Sequence, residues 1–158
     1  MDSRIGFGYD VHRLEEGRDF YLGGIKIVHT KGALGHSDAD VLIHAICDAL
    51  LGAANLQDIG FHFSDKDPAY KGIDSKILLT KVMEMIRAKG FSIGNIDSTV
   101  SLQKPKISTH IPEIKKVLSG VMKIEEERIS IKATTTERLG FEGREEGVSA
   151  YAVALIKK

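Results

Sequence analysis

The chain has one cysteine, three prolines and no excess of either charge, and these shortages argue against several classes of protein. A lone cysteine forms no disulfide within the chain, and Cys47 stands in an apolar stretch, so it indicates buried packing in a reducing compartment. The 22 lysines and arginines balance 22 aspartates and glutamates, which leaves no positive field for a phosphate backbone. We therefore expect no nucleic acid among the partners.

Long apolar runs are also missing. No stretch reaches the length of a membrane span, and the first residues lead into a strand pattern rather than the core of a signal peptide. Internal repeats and proline-rich or serine-rich linkers are absent, while 42% hydrophobic residues suffice for a buried core. We expect one domain over residues 1–158, a cytoplasmic location and no membrane partner.

Strand patterns recur along the chain. Residues 4–12 alternate in the manner of a half-buried strand, and residues 20–27 predict a second strand that two glycines interrupt. Further strands are predicted at 93–102, 129–134 and 148–156. Both alternating sets of side chains in the last strand are apolar, so both of its faces need cover, one from helices and the other from a second layer or another subunit.

Three helices are predicted between these strands. The first spans residues 38–54 with Ser37 as its N-cap, the second covers 77–86 and ends at Gly90, and the third covers 112–122. Residues 55–74 show no sustained period. A loop of that length within a compact domain is uncommon unless it has a function, so we expect it to bind substrate.

Three side chains have the types and spacing of a metal site. Asp10 and His12 point to the same side of their strand, and the first helix adds His44, one turn from Asp40 and Asp48. Two imidazoles and one carboxylate are a common zinc set with a fourth position open for substrate. Spacing alone leaves the alternative of an exposed strand end without metal.

Two further segments are suited to phosphate. His36 and Ser37 stand where the first helix begins, and a helix N-terminus attracts anions, although Ser37 with Asp40 can also serve only as a capping box. Residues 134–137 offer three hydroxyls as donors and one carboxylate for Mg²⁺, but threonines also simply favour strands. Likewise Lys104 and Lys106 either bind an anion or keep a loop soluble. No motif for covalent catalysis is present.

Taken in order, these segments resemble the 2-C-methyl-D-erythritol 2,4-cyclodiphosphate synthase family from residue 4 to residue 155. The resemblance rests on Tyr9-Asp10-Val11-His12, His36-Ser37-Asp38-Ala39-Asp40, Asp48-Ala49-Leu50-Leu51-Gly52-Ala53, Asp58-Ile59-Gly60, Asp67-Pro68, Lys71-Gly72 and Lys132-Ala133-Thr134-Thr135-Thr136-Glu137. It implies that Asp10, His12 and His44 bind Zn²⁺, and that Glu137 binds a second cation, Mg²⁺ or Mn²⁺.

The same resemblance assigns the remaining site residues. It implies that His36 and Thr135 stabilise the transition state, that Asp58, Gly60 and residues 63–67 hold the methylerythritol part and that residues 102–107 and 133–135 form the cytidine pocket. The implied substrate-binding positions are Ser37, Asp58, Gly60, Phe63, Ser64, Asp65, Asp67, Lys106, Ala133, Thr134, Thr136, Phe141 and Arg144. Phe141, Arg144 and Glu146 resemble residues at a central trimer cavity, although the last two can equally form a structural ion pair.

The resemblance implies a homotrimer with active sites between subunits. We therefore expect an α+β fold, in which a mixed four-stranded sheet carries three helices on one face and packs its other face within the trimer. The implied reaction is cyclisation of 4-diphosphocytidyl-2-C-methyl-D-erythritol 2-phosphate to 2-C-methyl-D-erythritol 2,4-cyclodiphosphate, with release of CMP, in the non-mevalonate isoprenoid pathway. The alternatives are a zinc phosphohydrolase and a non-catalytic module that binds metal or nucleotide.

Overall fold

A computed structural model describes residues 2–158, which form seven strands and five α-helices. The strands are β1 (Ser3–Glu16), β2 (Phe20–Leu22), β3 (Ile25–Ile27), β4 (Lys31–Leu34), β5 (Ser92–Ser101), β6 (Ile129–Thr134) and β7 (Gly147–Lys157). The helices are α1 (Val41–Ala53), α2 (Ile59–His62), α3 (Ser75–Ala88), α4 (Ile111–Met122) and α5 (Gly140–Gly143). Three 3₁₀ segments cover Pro68–Tyr70, Ser108–His110 and Glu126–Arg128.

The main sheet has the strand order β4-β1-β7-β5-β6. Strand β1 is antiparallel to both β4 and β7, β7 is antiparallel to β5, and β5 is parallel to β6, so the expected mixed sheet is present. The prediction of four strands in it is wrong, because β4 adds a fifth at the edge. This strand is only four residues long and contains glycine and alanine, so it gives no alternation that sequence analysis detects.

The predicted strand over residues 20–27 is instead a hairpin of β2 and β3, outside the main sheet. Its two central glycines, Gly23 and Gly24, have positive φ angles that a continuous strand does not allow. Their backbone N–H groups donate to the Asp40 carboxylate at 2.9 and 2.7 Å, which ties this hairpin to the start of α1.

The three predicted helices correspond to α1, α3 and α4, which lie on one side of the sheet. Helix α1 packs on β1, β7 and β5, α4 packs on β6, and α3 contacts both helices. Within residues 2–158, no helix is both long enough and apolar enough to cross a membrane.

The first helix begins later than predicted. Its N-cap is Asp40, whose side chain accepts from the Ile43 N–H, and not Ser37. Ala39 has a φ of 58°, a left-handed conformation that ends any helix attempted from residue 38. The Ser37 hydroxyl instead accepts from the Ala39 N–H within the preceding turn.

Two glycines of β1 allow α1 to lie directly on the sheet. A Cβ built on Gly6 would stand 1.9 Å from the Ala49 carbonyl oxygen, and one built on Gly8 would stand 1.9 Å from the Ala45 carbonyl oxygen. Neither position therefore tolerates a side chain at this spacing. Because Asp10 and His12 continue the same face of β1, this close approach decides how far they stand from α1.

The opposite face of the sheet carries a set of exposed apolar side chains. Phe7, for example, is 63% exposed, and the whole set comprises Ile5, Phe7, Tyr9, Val11, Tyr151 and Val153. The buried residues of β7 alternate with this set and face α1. The expected doubly apolar character of β7 is therefore present, and the cover of this face within a homotrimer stays a prediction.

We expect Gly8→Ala to lower the free energy of unfolding by about 1–3 kcal/mol or more, because the new methyl group has to push the α1 backbone away from β1. Chemical denaturation measures this change. Gly120→Ala is the matched control, since nothing lies within 4 Å of its added Cβ on α4 and helix propensity favours alanine by about 1 kcal/mol. A Gly8→Ala protein as stable as the wild type would contradict the packing argument.

Candidate active site

Three ligand atoms meet where β1 passes α1. The Asp10 Oδ2 atom lies 2.9 Å from His12 Nε2 and 3.1 Å from His44 Nδ1, and the two imidazole nitrogens are 3.2 Å apart. Asp10 and His12 share the face of β1 opened by its glycines, and His44 projects from the first turn of α1. The predicted metal ligands are thus brought together.

The ring nitrogens on the outer side of each imidazole decide which atoms face the centre. His12 Nδ1 lies 2.9 Å from the Leu34 carbonyl oxygen, and a carbonyl only accepts, so Nδ1 donates and the Nε2 lone pair points to Asp10. His44 Nε2 lies 2.9 Å from the Ser75 hydroxyl and 3.2 Å from the Ser37 hydroxyl. Its Nδ1 atom is therefore the one that faces Asp10.

Three acceptors so close together repel one another unless a cation lies between them. Asp10, His12 and His44 are the group within residues 2–158 whose ligand atoms are near enough to share one metal ion. Ligands about 2.0–2.2 Å from a tetrahedral Zn²⁺ stand roughly 3.3 Å apart, close to the spacings found here. The triad therefore fits a divalent metal, and its nitrogen and oxygen donors are of the kind that zinc prefers.

The electrostatics of the triad agree with this fit. A proton can take the place of the cation between these groups. Burial acts to raise the pKa of Asp10, but the contacts of its carboxylate with His12 and His44 outweigh burial and lower the pKa to about 2. Burial acts to lower the pKa of His12, but the Asp10 carboxylate accepts a hydrogen bond from Nε2 when the ring takes up a second proton, and this interaction outweighs burial and raises the pKa. The site thus holds one fixed negative charge that favours a cation.

The triad opens into a cavity of about 410 Å³. Its lining contains predicted site residues from four parts of the chain: Asp10, His12, His36, Ser37, His44, Gly60, Phe63 and Asp65. Asp58, Ser64 and Asp67 belong to the same segment but their side chains do not line the cavity. The expected substrate loop over residues 55–74 contains α2 and the 3₁₀ segment Pro68–Tyr70, so it is more regular than predicted.

Several hydrogen bonds hold that segment against α1 and the turn that precedes it. Asp48 accepts from the Ile59 N–H at 2.8 Å, and the His36 Nε2 donates to the Asp67 carbonyl at 2.9 Å. The Gly72 N–H donates to the His36 carbonyl at 2.7 Å. Burial raises the pKa of Asp48, because the charged carboxylate is less well solvated inside the fold than in water.

A second cavity, of about 420 Å³, lies at the ends of β5 and β6. It is lined by Leu102, Gln103, Lys104, Pro105, Lys106, Ile107, Ser108, Ala133, Thr134 and Thr135. The structure thus brings together the predicted Lys106, Ala133, Thr134 and Thr135. Thr136 and Glu137 follow in a turn, where the Glu137 backbone has a φ of 53° and its N–H donates to the Thr135 hydroxyl.

None of the described residues lines both cavities. Phe141 instead lies beside His12 in a smaller cavity that also includes Val11, Arg13 and Glu146. Arg144 donates to Glu146 at 2.9 Å in an exposed ion pair. This agrees with the alternative, stated above, that these two residues form a structural ion pair. Phe141 and Arg144 therefore stand apart from both larger cavities, and their substrate contacts stay predictions.

Comparison with known proteins agrees with this arrangement. Residues 3–157 match the model of the YgbB family. The chain belongs to that family. Its relatives include the 2-C-methyl-D-erythritol 2,4-cyclodiphosphate synthases of Porphyromonas gingivalis strain W83 (63% identical, covering 97% of this chain and 94% of that one) and Bacteroides fragilis strain YCH46 (63%, covering 100% and 99%). A solved 2C-methyl-D-erythritol-2,4-cyclodiphosphate synthase, described as a CDP-bound form, is 40% identical with a TM-score of 0.90 and covers 98% of this chain and 100% of that one.

Sequence analysis did not name several residues of this site. Tyr70, Ile73 and Leu78 line the metal cavity, and Ser75 contacts His44. Tyr70 and Ile73 lie in the segment 55–74 that was expected to bind substrate but were not singled out, and Leu78 was assigned only to the second helix. Their role depends on how α3 docks against α1, which no local pattern records.

We expect His44→Ala to weaken zinc binding more than about 100-fold, because it removes a ligand itself rather than a residue that supports one. Zinc content after dialysis and competition with a chelator measure the loss, and circular dichroism checks the fold. His29→Ala is the control, since His29 lies outside the triad and the cavity. Zinc retained at the wild-type level by His44→Ala would contradict the assignment.

Proposed function

We propose that this chain is a phosphorus-oxygen lyase that cyclises 4-diphosphocytidyl-2-C-methyl-D-erythritol 2-phosphate and releases CMP, a step of isoprenoid biosynthesis. Membership of the YgbB family and the names of relatives that align over nearly the whole chain support the reaction. The observation that carries the proposal is the set of three converging acceptors beside a cavity large enough for a small phosphorylated molecule.

The substrate brings its own nucleophile. An oxygen of the 2-phosphate attacks the β-phosphorus, the bond from that phosphorus to the oxygen shared with the α-phosphate breaks, and CMP leaves with that oxygen. This matches a chain that has no motif for covalent catalysis. The residues of the cavity need only hold two ends of one flexible molecule in line, and such positioning supplies up to about 7–11 kcal/mol of a barrier.

The chain's own groups divide this positioning between them. We assign Asp58, Gly60 and residues 63–67 to the methylerythritol part, since this segment borders the metal cavity. His36 and Ser37 line the same cavity, which supports the proposal that they contact phosphate oxygens. The His36 ring is held by its bond to the Asp67 carbonyl, so it meets the substrate in one orientation.

Asp10, His12 and His44 would hold Zn²⁺, which when bound polarises a phosphate oxygen and offsets negative charge. For the second cation, Mg²⁺ or Mn²⁺, we propose Glu137. Its carboxylate is exposed in the turn directly after the threonines of the second cavity. Mg²⁺ commonly takes one or two carboxylates together with substrate phosphates, so a single acidic side chain suits it.

The cytidine part is assigned to the second cavity, with Lys106, Ala133 and Thr134 around it and Thr135 toward the diphosphate. The CDP-bound state of the relative supports a nucleotide site in this fold. In one chain, β7 and β5 separate the triad from the threonines, and three strand spacings amount to roughly 14 Å. We therefore propose that the threonine cavity of one subunit completes the metal cavity of another.

A homotrimer built on the exposed apolar face meets this requirement, and it gives Phe141, Arg144 and Thr136 a place near subunit boundaries. We further propose that residues 1–158 form one domain and that the protein works in the cytoplasm. The single free thiol of Cys47, buried in α1, is consistent with a reducing compartment.

Incubation of the protein with substrate, Zn²⁺ and Mg²⁺ in H₂¹⁸O is expected to yield the cyclic diphosphate and CMP, with no ¹⁸O in either. Phosphorus NMR and mass spectrometry detect the products. A linear phosphate carrying ¹⁸O would support a zinc phosphohydrolase instead. Binding of zinc and CMP without turnover would support a non-catalytic module.

In the same assay His36→Ala and Thr135→Ala should each lower kcat about 100- to 1,000-fold, the usual cost of losing one group that stabilises transition-state charge. Thr80→Ala is the control, because the Thr80 hydroxyl bonds only the Lys76 carbonyl on the exposed side of α3. Wild-type kcat in both test variants would refute their assigned roles.

The proposed trimer leads to a separate prediction. Phe7→Glu places a charge on the apolar face, so light scattering should show a shift from trimer toward monomer. The value of kcat should also fall, because a monomer lacks the threonine cavity that a neighbouring subunit contributes to its metal cavity. Val28→Glu is the control, since Val28 is 95% exposed elsewhere and its change should leave the mass unaltered. A wild-type protein of monomeric mass would overturn the intersubunit site.

A further inference from the structure

We propose that Ser75 and Asp38 are positioning residues that fix the tautomer and the ring orientation of His44, so that its Nδ1 lone pair is presented to the metal. This inference rests on the proposed metal role of the triad. The two residues lie outside the ligand set and are joined to it by hydrogen bonds from Asp38, in the turn before α1, through Ser75, the first residue of α3, to His44 on α1. We call these two side-chain hydrogen bonds the relay.

The direction of each hydrogen bond follows from the groups involved. The Ser75 hydroxyl bonds the Asp38 Oδ1 atom, and a carboxylate only accepts, so Ser75 is the donor. A hydroxyl has a single proton. In its 2.9 Å contact with His44 Nε2, the Ser75 oxygen therefore accepts, and Nε2 has to carry the hydrogen. The Nδ1 atom is left with a lone pair directed at Asp10 and His12.

Burial makes this arrangement selective. Ser75 is 0% exposed, so bulk water cannot replace a lost partner. In the opposite tautomer, His44 Nε2 would be an acceptor, and the single proton of the Ser75 hydroxyl could then satisfy either Nε2 or Asp38 but not both. Asp38 is itself held in place, because its second carboxylate oxygen accepts from the Ser75 N–H at 3.0 Å and its own N–H donates to the Ile73 carbonyl at 3.0 Å.

A purely structural role does not account for the Ser75 hydroxyl. The N-cap of α3 is Asp74, whose side chain accepts from the Lys76 N–H, so the helix start does not need that hydroxyl. Ser75→Ala also keeps the backbone bond to Asp38. It removes only the two side-chain bonds of the relay. The Ser37 hydroxyl, 3.2 Å from His44 Nε2, is a second acceptor, so we expect the loss to be partial.

Ser75→Ala is expected to raise the zinc dissociation constant about 10- to 100-fold, the usual effect of losing an outer partner of a ligating histidine. Chelator competition without substrate measures this constant. In the zinc-loaded wild type, the Nε2–H of His44 should give an imidazole proton resonance protected from exchange, and Ser75→Ala should lose that protection. Ser98→Ala is the matched control, since it deletes an equally buried hydroxyl that bonds the Ser130 carbonyl.

A double-mutant cycle tests whether the two residues act in series. Asp38→Ala alone should weaken zinc binding, but in a Ser75→Ala background its further effect should be clearly smaller, because the part transmitted through the Ser75 hydroxyl is already lost. A small remainder is expected, since the Asp38 carboxylate also accepts from the Ser75 and Asp40 N–H groups. Additive losses, or a Ser75→Ala constant within twofold of the wild type, would overturn the relay. These measurements use no substrate. A protein that shows the relay but does not cyclise therefore refutes only the proposed function.

Discussion

The site depends on the contact between α1 and β1. Because Gly6 and Gly8 have no side chains, the carbonyl oxygens of Ala49 and Ala45 lie where Cβ atoms would otherwise stand. Helix α1 is thereby lowered onto the strand, and His44 comes within 3.1 Å of the Asp10 carboxylate. A metal site formed by one strand and one helix needs such a fixed separation, since tenths of an ångström decide whether three ligands share one ion.

The pattern of side chains in the sequence was enough to predict much of the framework. The third helix and strands β6 and β7 were placed within about two residues, because each combines clear periodicity with a distinct start or stop. The start of α1 was wrong, since the left-handed conformation of Ala39 is imposed by its surroundings and has no signal in the residue itself. Strand β4 was missed because it is defined by its pairing with β1.

The candidate site also has a part that the sequence predicts and a part that it does not. Asp10 and His12 follow from strand geometry, and His44 from the first helix, but their convergence depends on the docking of that helix and was inferred only through resemblance. The partners that orient the two imidazoles, Leu34 and Ser75, are 22 and 31 residues away from their histidines. No pattern of neighbouring residues identifies such contacts, because they are made by tertiary packing.

The segment between α1 and α3 is attached unevenly. Asp48 holds it at Ile59 and His36 holds it at Asp67, whereas residues 64–66 between these anchors are exposed. Changes in the intervening residues therefore need not disturb the three ligands or the two imidazole tautomers. Substitutions at Asp65, which lines the cavity, can consequently change its shape while the spacing of the three ligands is kept.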